Sequence, residues 1–333
     1  MKKKIILGFL ILFFLFLFSA FFIWQEIYLP KSFQFEEEII FEIKKGEGSK
    51  EIAENLKAQG IIKNATLFNF YVFFNGISKN LKAGFYSISP SMTIPQIAQK
   101  FSQGEIVKVK ITFPEGFNLK EIQKRLEKFG LIKKDLASFK VKDFKEKFDF
   151  LKDVPQEVSL EGFLFPDTYY FSYSMGEREI LEKMLKNFGE KLNFKLKEEI
   201  EKQGKTIYQV VIMASLLEKE VKTFEDKKLV SGILWKRLEK GMPLQVDATI
   251  TYITGKKTIK ISKKDLEIDH PYNTYKYLGL PPGPISNPSF ESILAAIFPK
   301  ETQFWYYLTT PDGKTIFSKT LLEHNIAKEK YLK

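Results

Sequence analysis

The pattern begins with three lysines, Lys2 to Lys4, followed by an apolar run from Ile5 to Trp24 broken only by Ser19, with polarity returning at Gln25 and Glu26. A helix rising about 1.5 Å per residue crosses a hydrocarbon core of roughly 30 Å in about 20 residues, so this run predicts a single transmembrane helix. Lysines on the N-terminal flank predict that end inside and the body on the trans side. A cleaved signal peptide would carry a shorter apolar region ending in small residues, and Phe18, two places before Ala20, disfavours cleavage. A buried core helix fits less well, because nothing interrupts the hydrophobicity around the wheel.

After a polar and aromatic stalk at 25–37, EIIFEIK alternates Ile39, Phe41 and Ile43 as a half-buried strand does. Gly46, Gly48 and Ser49 then predict a turn and N-cap, Ile52, Ala53 and Leu56 an apolar helical stripe, and Gly60 its stop. The unit recurs: FEIKKGEGSKEIAENLKAQGII (41–62) aligns without gaps on ITFPEGFNLKEIQKRLEKFGLI (111–132), pairing Gly46 with Gly116, Leu56 with Leu126 and Gly60 with Gly130. Asn118 and Glu121 predict a capping box, as do Thr93 and Gln96 in a degenerate third strand-plus-helix unit at 84–104. A small α+β module built by duplication over 38–135 is the economical account.

Residues 133–156, lysine-rich and alternately charged and aromatic, predict a surface helix and connector, which sets a domain boundary near 136. Helical patterns follow at 177–203, 207–221 and 225–240, and FWYYLTT, PDGK and TIFSK read as a β-hairpin near the end. The fold class is α+β: an N-terminal transmembrane helix (1–24), the duplicated βα module, then a second α+β domain at 136–333.

Composition narrows the chemistry. The chain has no cysteine, which removes thiolate nucleophiles, disulfides and Cys-based metal sites. Its net charge is +11, or +8 without the three N-terminal lysines, which favours polyanions or anionic surfaces; the trans location argues against nucleic acid. The two histidines, His270 and His324, stand far apart, and no GxxxxGK[ST] loop is present, so no metal site, triad or phosphate cradle is expected.

One helix carries the leading candidate. IYQVVIMASLLEKEVK (207–222) is apolar on nearly every face from Val210 to Leu217, and Glu218 follows at once. On a helix Glu218 lies over Ala214 and Ser215, small residues expected to leave room for a ligand, and desolvation there would raise its pKa toward general acid work. A solvated helix end with Glu218 paired to Lys222 is the alternative, and spacing alone leaves both open. Glu220 points about 200° away from Glu218 on an ideal helix, which leaves it behind the site. LEGFLFPDTYYF (160–171) puts Glu161 and Asp167 among aromatics in a kinked loop of the kind on which sugar rings stack. PLQVDATITY (243–252) offers Gln245 and Asp247 beside a strand. The proline-rich HPYNTYKYLGLPPGPISNPS (270–289) is a long loop with Tyr272, Asn273 and Asn287, and its aromatic and amide content argues for an ordered, functional segment.

Taken in order, LEGFLFPDTYYF, ASLLEKE, LQVDATITY and YNTYKYLGLPPGPISNPS behind a single N-terminal anchor closely resemble the endolytic murein transglycosylase family, MltG or YceG-like. The resemblance covers nearly the whole chain. It implies a lyase without cofactor in which Glu218 is the catalytic acid, with Ser215, Glu161, Gln245, Asp247, Tyr272, Asn273 and Asn287 as candidate substrate contacts. It further implies a LysM-like glycan-binding character for the duplicated module. The implied reaction cleaves the β-1,4 bond between N-acetylmuramic acid and N-acetylglucosamine without water, leaves 1,6-anhydromuramyl ends and terminates nascent strand elongation. The implied setting is the bacterial inner membrane, single-pass, with the body outside the cytoplasm, peptidoglycan strands as substrate and peptidoglycan synthases as partners. A hydrolytic muramidase, needing a second carboxylate from Glu161, Asp167 or Asp247, and a non-catalytic wall-binding anchor are the other classes.

Overall fold

A computed structural model describes residues 2–34, 37–256 and 261–332; stalk positions 35 and 36 lie outside the described residues. The chain forms two compact units, Met1–Val109 with Tyr170–Met175, and Lys110–Tyr169 with Gly176–Lys333. The second copy of the repeat therefore lies with the second unit, and the division falls before the connector from which a boundary near 136 was expected. Among the described residues the strands form three two-stranded sheets, and the mixed α+β class holds.

In the first unit α1 (Lys2–Tyr28) is one continuous helix, whose segment Ile6–Tyr28 has a mean hydropathy of 2.9 and, apart from Ile27 near its end, no buried residue. Exposed phenylalanines and leucines along it are what a lipid-facing helix presents and a core helix does not. Beyond the stalk come β1 (Ile39–Ile43), α2 (Ser49–Ala58), α3 (Ala65–Phe74), β2 (Gly84–Ile88) and α4 (Ile94–Gln103). β1 and β2 pair antiparallel with Phe41 opposite Tyr86, so the strand of the first repeat copy closes on that of the degenerate unit. Phe41, Ile52, Leu56, Phe68, Tyr86, Ile97 and Phe101 fill the core, with the Phe101 ring 5.7 Å from Phe41 and 4.7 Å from Tyr86. Each such side chain contributes about 1.5–3 kcal/mol by leaving water. Both expected capping boxes form, Thr93 with Gln96 and Asn118 with Glu121, and Gly60 ends its helix with φ +74°. The helix α3, capped by Asn64, carries no repeat signature and was not anticipated.

β3 (Lys108–Thr112) and β4 (Thr168–Ser172) span the division. The second unit continues with α5 (Leu119–Lys128), α6 (Glu177–Lys191), α7 (Phe194–Lys202), α8 (Ile207–Glu220), α9 (Phe224–Glu239), α10 (Asp247–Thr254), α11 (Lys263–Leu266), α12 (Phe290–Ile297), the hairpin β5 (Tyr306–Thr309) and β6 (Thr315–Ser318), and α13 (Leu321–Tyr331). Two expectations change here. Residues 133–156 form three short 3-10 turns and no α-helix, and Leu136, Val141, Phe144, Phe150 and Leu151 are buried. The strand expected within 243–252, beside Gln245 and Asp247, is absent, and Asp247 instead opens the helix α10, because tertiary packing overrides β-propensity. The hairpin forms as expected, with its turn closed by the Thr310 amide donating to the Lys314 carbonyl at 2.9 Å.

Candidate active site

Eight consecutive residues of α8, Val210 to Leu217, are buried, which makes this helix the axis of the second unit. Thr206 and Gln209 cap its start, and Glu218 lies in the last turn, where the apolar run gives out. Only 9% of the Glu218 side chain is exposed. The Oε2 oxygen accepts from the Ser289 amide at 2.9 Å, the Ser289 hydroxyl at 2.6 Å and the Ser292 hydroxyl at 2.6 Å. Lys227 Nζ, on the first turn of α9, donates to the same oxygen at 3.3 Å and to Ser289 Oγ at 3.2 Å. Ser289 is the N-cap of α12, so the carboxylate also lies at the positive end of that helix. Among the described residues Oε1 makes no hydrogen bond. One oxygen is thus clamped and the other remains available to a ligand.

This geometry corrects the expected protonation. Burial, the largest single influence, pushes the Glu218 carboxyl up, but the two serine hydroxyls, the Ser289 amide and the Lys227 ammonium together outweigh it and hold the group below its usual range. The free protein therefore carries a Glu218 carboxylate. Its ion partner is Lys227 and not Lys222, so the solvated helix-end alternative does not describe it. Nor is there room above Ser215. That residue is fully buried, its hydroxyl donates to the Ile212 carbonyl and accepts from the Ile285 amide, and Ser286 donates to its carbonyl. Nothing in the sequence points to Lys227, Ser289 and Ser292: a lysine nine positions away, the last residue of the proline-rich loop and a serine three places beyond it carry no local signal.

A further carboxyl lies near. Glu115 stands in the turn before α5, where Gly116 has φ +75°; a Cβ on that glycine would meet Glu218 Cγ at 3.4 Å. Burial raises the Glu115 carboxyl, and the Glu218 charge raises it further. The turn of the second repeat copy is thus built against the candidate acid, and the Gly116 amide donates to the Asn287 carbonyl at 2.9 Å.

The other expected contacts divide into groups. Glu161 is buried and accepts from the Leu119 amide at 3.0 and 2.9 Å and from Asn287 Nδ2 at 3.1 Å. Burial pushes its carboxyl up to about 8. Asn287 spends its remaining groups on the Leu164 amide and the Phe117 carbonyl, so the pair pins the 113–119 and 160–165 segments to the loop carrying Ser289. Gly162, φ +88°, lets the second segment in: a Cβ there would fall 2.6 Å from Pro284. Phe163, Phe165 and Phe171 are buried, so this stretch is packing and not the sugar-stacking surface expected, although Tyr170 is exposed. Asn273 is also wholly internal, bonding the Leu266 and Ile268 carbonyls and the Tyr275 amide.

Gln245, Asp247 and Tyr272 retain accessible surface. Gln245 has φ +53°, the only non-glycine positive φ among the described residues, and its amide donates to the Thr274 carbonyl at 3.1 Å. A held left-handed conformation in an exposed glutamine is the kind of strain that marks functional loops. Asp247 accepts from the Tyr275 hydroxyl, and the Tyr272 ring lies 5.1 Å from that of Tyr252. Asp167 is held by Asn187 Nδ2 at 2.9 Å. Glu220 is half-buried in a separate place, accepting from the Ala248 amide and the Tyr307 hydroxyl, and desolvation with the nearby Asp247 charge pushes it up to about 7.

Fold and site define an α+β protein with an apolar N-terminal helix and one clamped, helix-borne carboxyl suited to acid–base chemistry. The chain belongs to the YceG-like family, whose model matches residues 41–330. It is 35% identical over 303 residues to the endolytic murein transglycosylase of Bacillus subtilis, covering 87% of this chain and 84% of that protein. It is 30% identical to the endolytic murein transglycosylase of Streptococcus pneumoniae, covering 85% of this chain and 56% of that longer protein. A crystal structure of a YceG-like protein from Listeria monocytogenes is similar, with 36% identity and a TM-score of 0.61 over 88% of this chain and all of that one.

Proposed function

We propose that this chain is a membrane-anchored endolytic murein transglycosylase, a lyase that cuts the muramyl β-1,4 glucosaminyl bond of peptidoglycan without water. The observation that carries the site assignment is Glu218: Oε2 clamped by two serines and a lysine, Oε1 open. In this reading Glu218 protonates the glycosidic oxygen as the C1–O4 bond breaks, and its carboxylate then takes the proton of the muramyl 6-hydroxyl as O6 bonds to C1. One carboxyl serves in turn as acid and base, and its proton is restored at the end of the cycle. Because the free site holds a carboxylate, the acid form must arise in the complex. A glycan covering Oε1 displaces water from it, which raises the carboxyl pKa.

The further assignments belong to the same proposal. α1 spans the inner membrane with the lysine-flanked end inside, and the second unit is the catalytic one. Gln245, Asp247 and Tyr272 contact the glycan, while Glu161, Ser215, Asn273 and Asn287 position the loops around it. The order β1, α2, α3, β2, with its strands paired antiparallel, supports a LysM-like glycan-binding role for the first unit. Peptidoglycan synthases are the proposed neighbours that supply nascent strands.

Mass spectrometry of peptidoglycan digested by the full-length protein in detergent tests this reading, with Glu218→Gln alongside and pull-down on insoluble peptidoglycan as a folding control. Anhydromuramyl ends from the wild type alone, with binding retained by both, is the expected result. Cleavage that persists in Glu218→Gln would overturn the assignment.

A further inference from the structure

The helix α3 presents two faces of unequal fate. Ala65, Phe68 and Val72 enter the core of the first unit, whereas Phe70, Phe73 and Phe74 are 48%, 68% and 69% exposed. Their rings form one patch, with centroids 4.1 Å apart for Phe70 and Phe74 and 5.7 Å for Phe73 and Phe74. Three contiguous phenylalanines in water are costly for a soluble surface, and such patches mark an interaction site.

The position of the patch identifies its occupant. Within this unit α3 packs on the last turn of α1. The Tyr71 ring lies 6.4 Å from that of Tyr28, Lys63 Nζ reaches Glu26 Oε1 at 3.5 Å, and Ile27 is buried. On α3, Tyr71 is flanked by Phe70 and, one turn on, by Phe74. The apolar part of α1 is long enough to bring Trp24 and Tyr28, stacked 6.0 Å apart, to the outer edge of a hydrocarbon core, the depth that interfacial aromatics favour. The patch therefore lies beside the point where the chain leaves the bilayer, and exposed Lys63 and Lys79 flank α3 where anionic headgroups would meet them.

We infer that Phe70, Phe73 and Phe74 seat in the interfacial layer of the same bilayer that α1 spans, giving the first unit a second, shallow attachment to lipid. This rests on the membrane-anchor reading of α1. A unit fastened to lipid at two points has a more closely set orientation over the membrane than one held by α1 and its packing on α3 alone.

The absence of cysteine makes the test clean. Full-length Phe73→Cys and Leu15→Cys variants, each labelled with an environment-sensitive fluorophore, are reconstituted in nanodiscs of mixed zwitterionic and anionic phospholipid carrying nitroxides at either a shallow or a deep acyl position. The expected result is quenching of the Leu15 probe by the deep nitroxide and of the Phe73 probe by the shallow one more than the deep. A quenched Leu15 probe with an unquenched, water-like Phe73 probe would overturn this inference and leave the anchor intact. An unquenched Phe73 probe with blue-shifted emission would overturn it in favour of a second copy covering the patch. Absence of quenching at Leu15 would overturn the anchor reading itself.

Discussion

Glu218 and Glu161 are both sequestered carboxyls of the second unit, both bonded to the segment that leads into α12, and their surroundings set them to opposite protonation states. Glu218 meets two hydroxyls, an amide and an ammonium, and is held low; Glu161 meets one amide and one side-chain amide in full burial and is pushed up to about 8. The difference teaches that burial alone does not decide which acid is neutral. The number and charge of the donors aimed at the carboxylate decide it.

The largest expected effect comes from deleting the member of the pair proposed as the acid. Glu218→Gln should lower turnover by about 10²–10⁴-fold, the range typical of general acid–base groups, measured as anhydromuramyl ends released per unit time. Glu161→Gln, which mimics the protonated form of a group that touches only protein, should leave turnover within a few-fold of wild type.

Next, the donors around Glu218 can be removed. Lys227→Met and the double variant Ser289→Ala, Ser292→Ala should each raise the carboxyl pKa. Since the proposed cleavage starts from the acid form, kcat/KM should fall with rising pH, and the descending limb should move to higher pH in both variants. A merely structural role would lower the rate at all pH values without moving the limb.

For Glu161 the sign is opposite and the readout is stability. Its folded pKa, raised from 4.5 to about 8, means that between these values the folded protein holds a proton that the unfolded chain has released. The contribution is therefore greatest below about pH 4.5 and declines as pH rises toward 8. Thermal unfolding of Glu161→Gln should show a flatter pH dependence across this window than wild type.

The smallest effect is expected at Gln245. Gly at this position accepts φ +53° without strain and should add up to about 1 kcal/mol of stability in denaturant unfolding. If the Gln245 side chain contacts glycan, KM should rise at the same time.

Much of the local structure was legible because short-range rules governed it. The repeat, both capping boxes, the burial of 210–217 and the final hairpin follow from periodicity and turn chemistry within a few residues. Glu218 was legible as the residue where an all-apolar helix turns polar. What failed was long-range. The charge state of Glu218 depends on Ser289, Ser292 and Lys227, brought in by α12 and α9, and no spacing rule relates them to α8. Asn273 and Asn287 looked like amides waiting for sugar, yet folding spends them on backbone groups of distant segments. The two repeat copies share their turn and helix chemistry, but the Gly46 turn meets open space while the Gly116 turn meets Glu218. Local sequence is the same in kind, and tertiary context assigns the role.

The central claim is that one carboxyl carries both proton transfers and that water takes no part, even though Glu115 lies close enough to feel the charge of Glu218. Digestion of peptidoglycan in water enriched in oxygen-18, followed by mass spectrometry of the released fragments, tests it directly. The account predicts muramyl ends with no label and the mass of an internal anhydride. Fragments that gain water with the heavy isotope at C1 would contradict it, and would make the site a hydrolase with Glu115 as its second carboxyl.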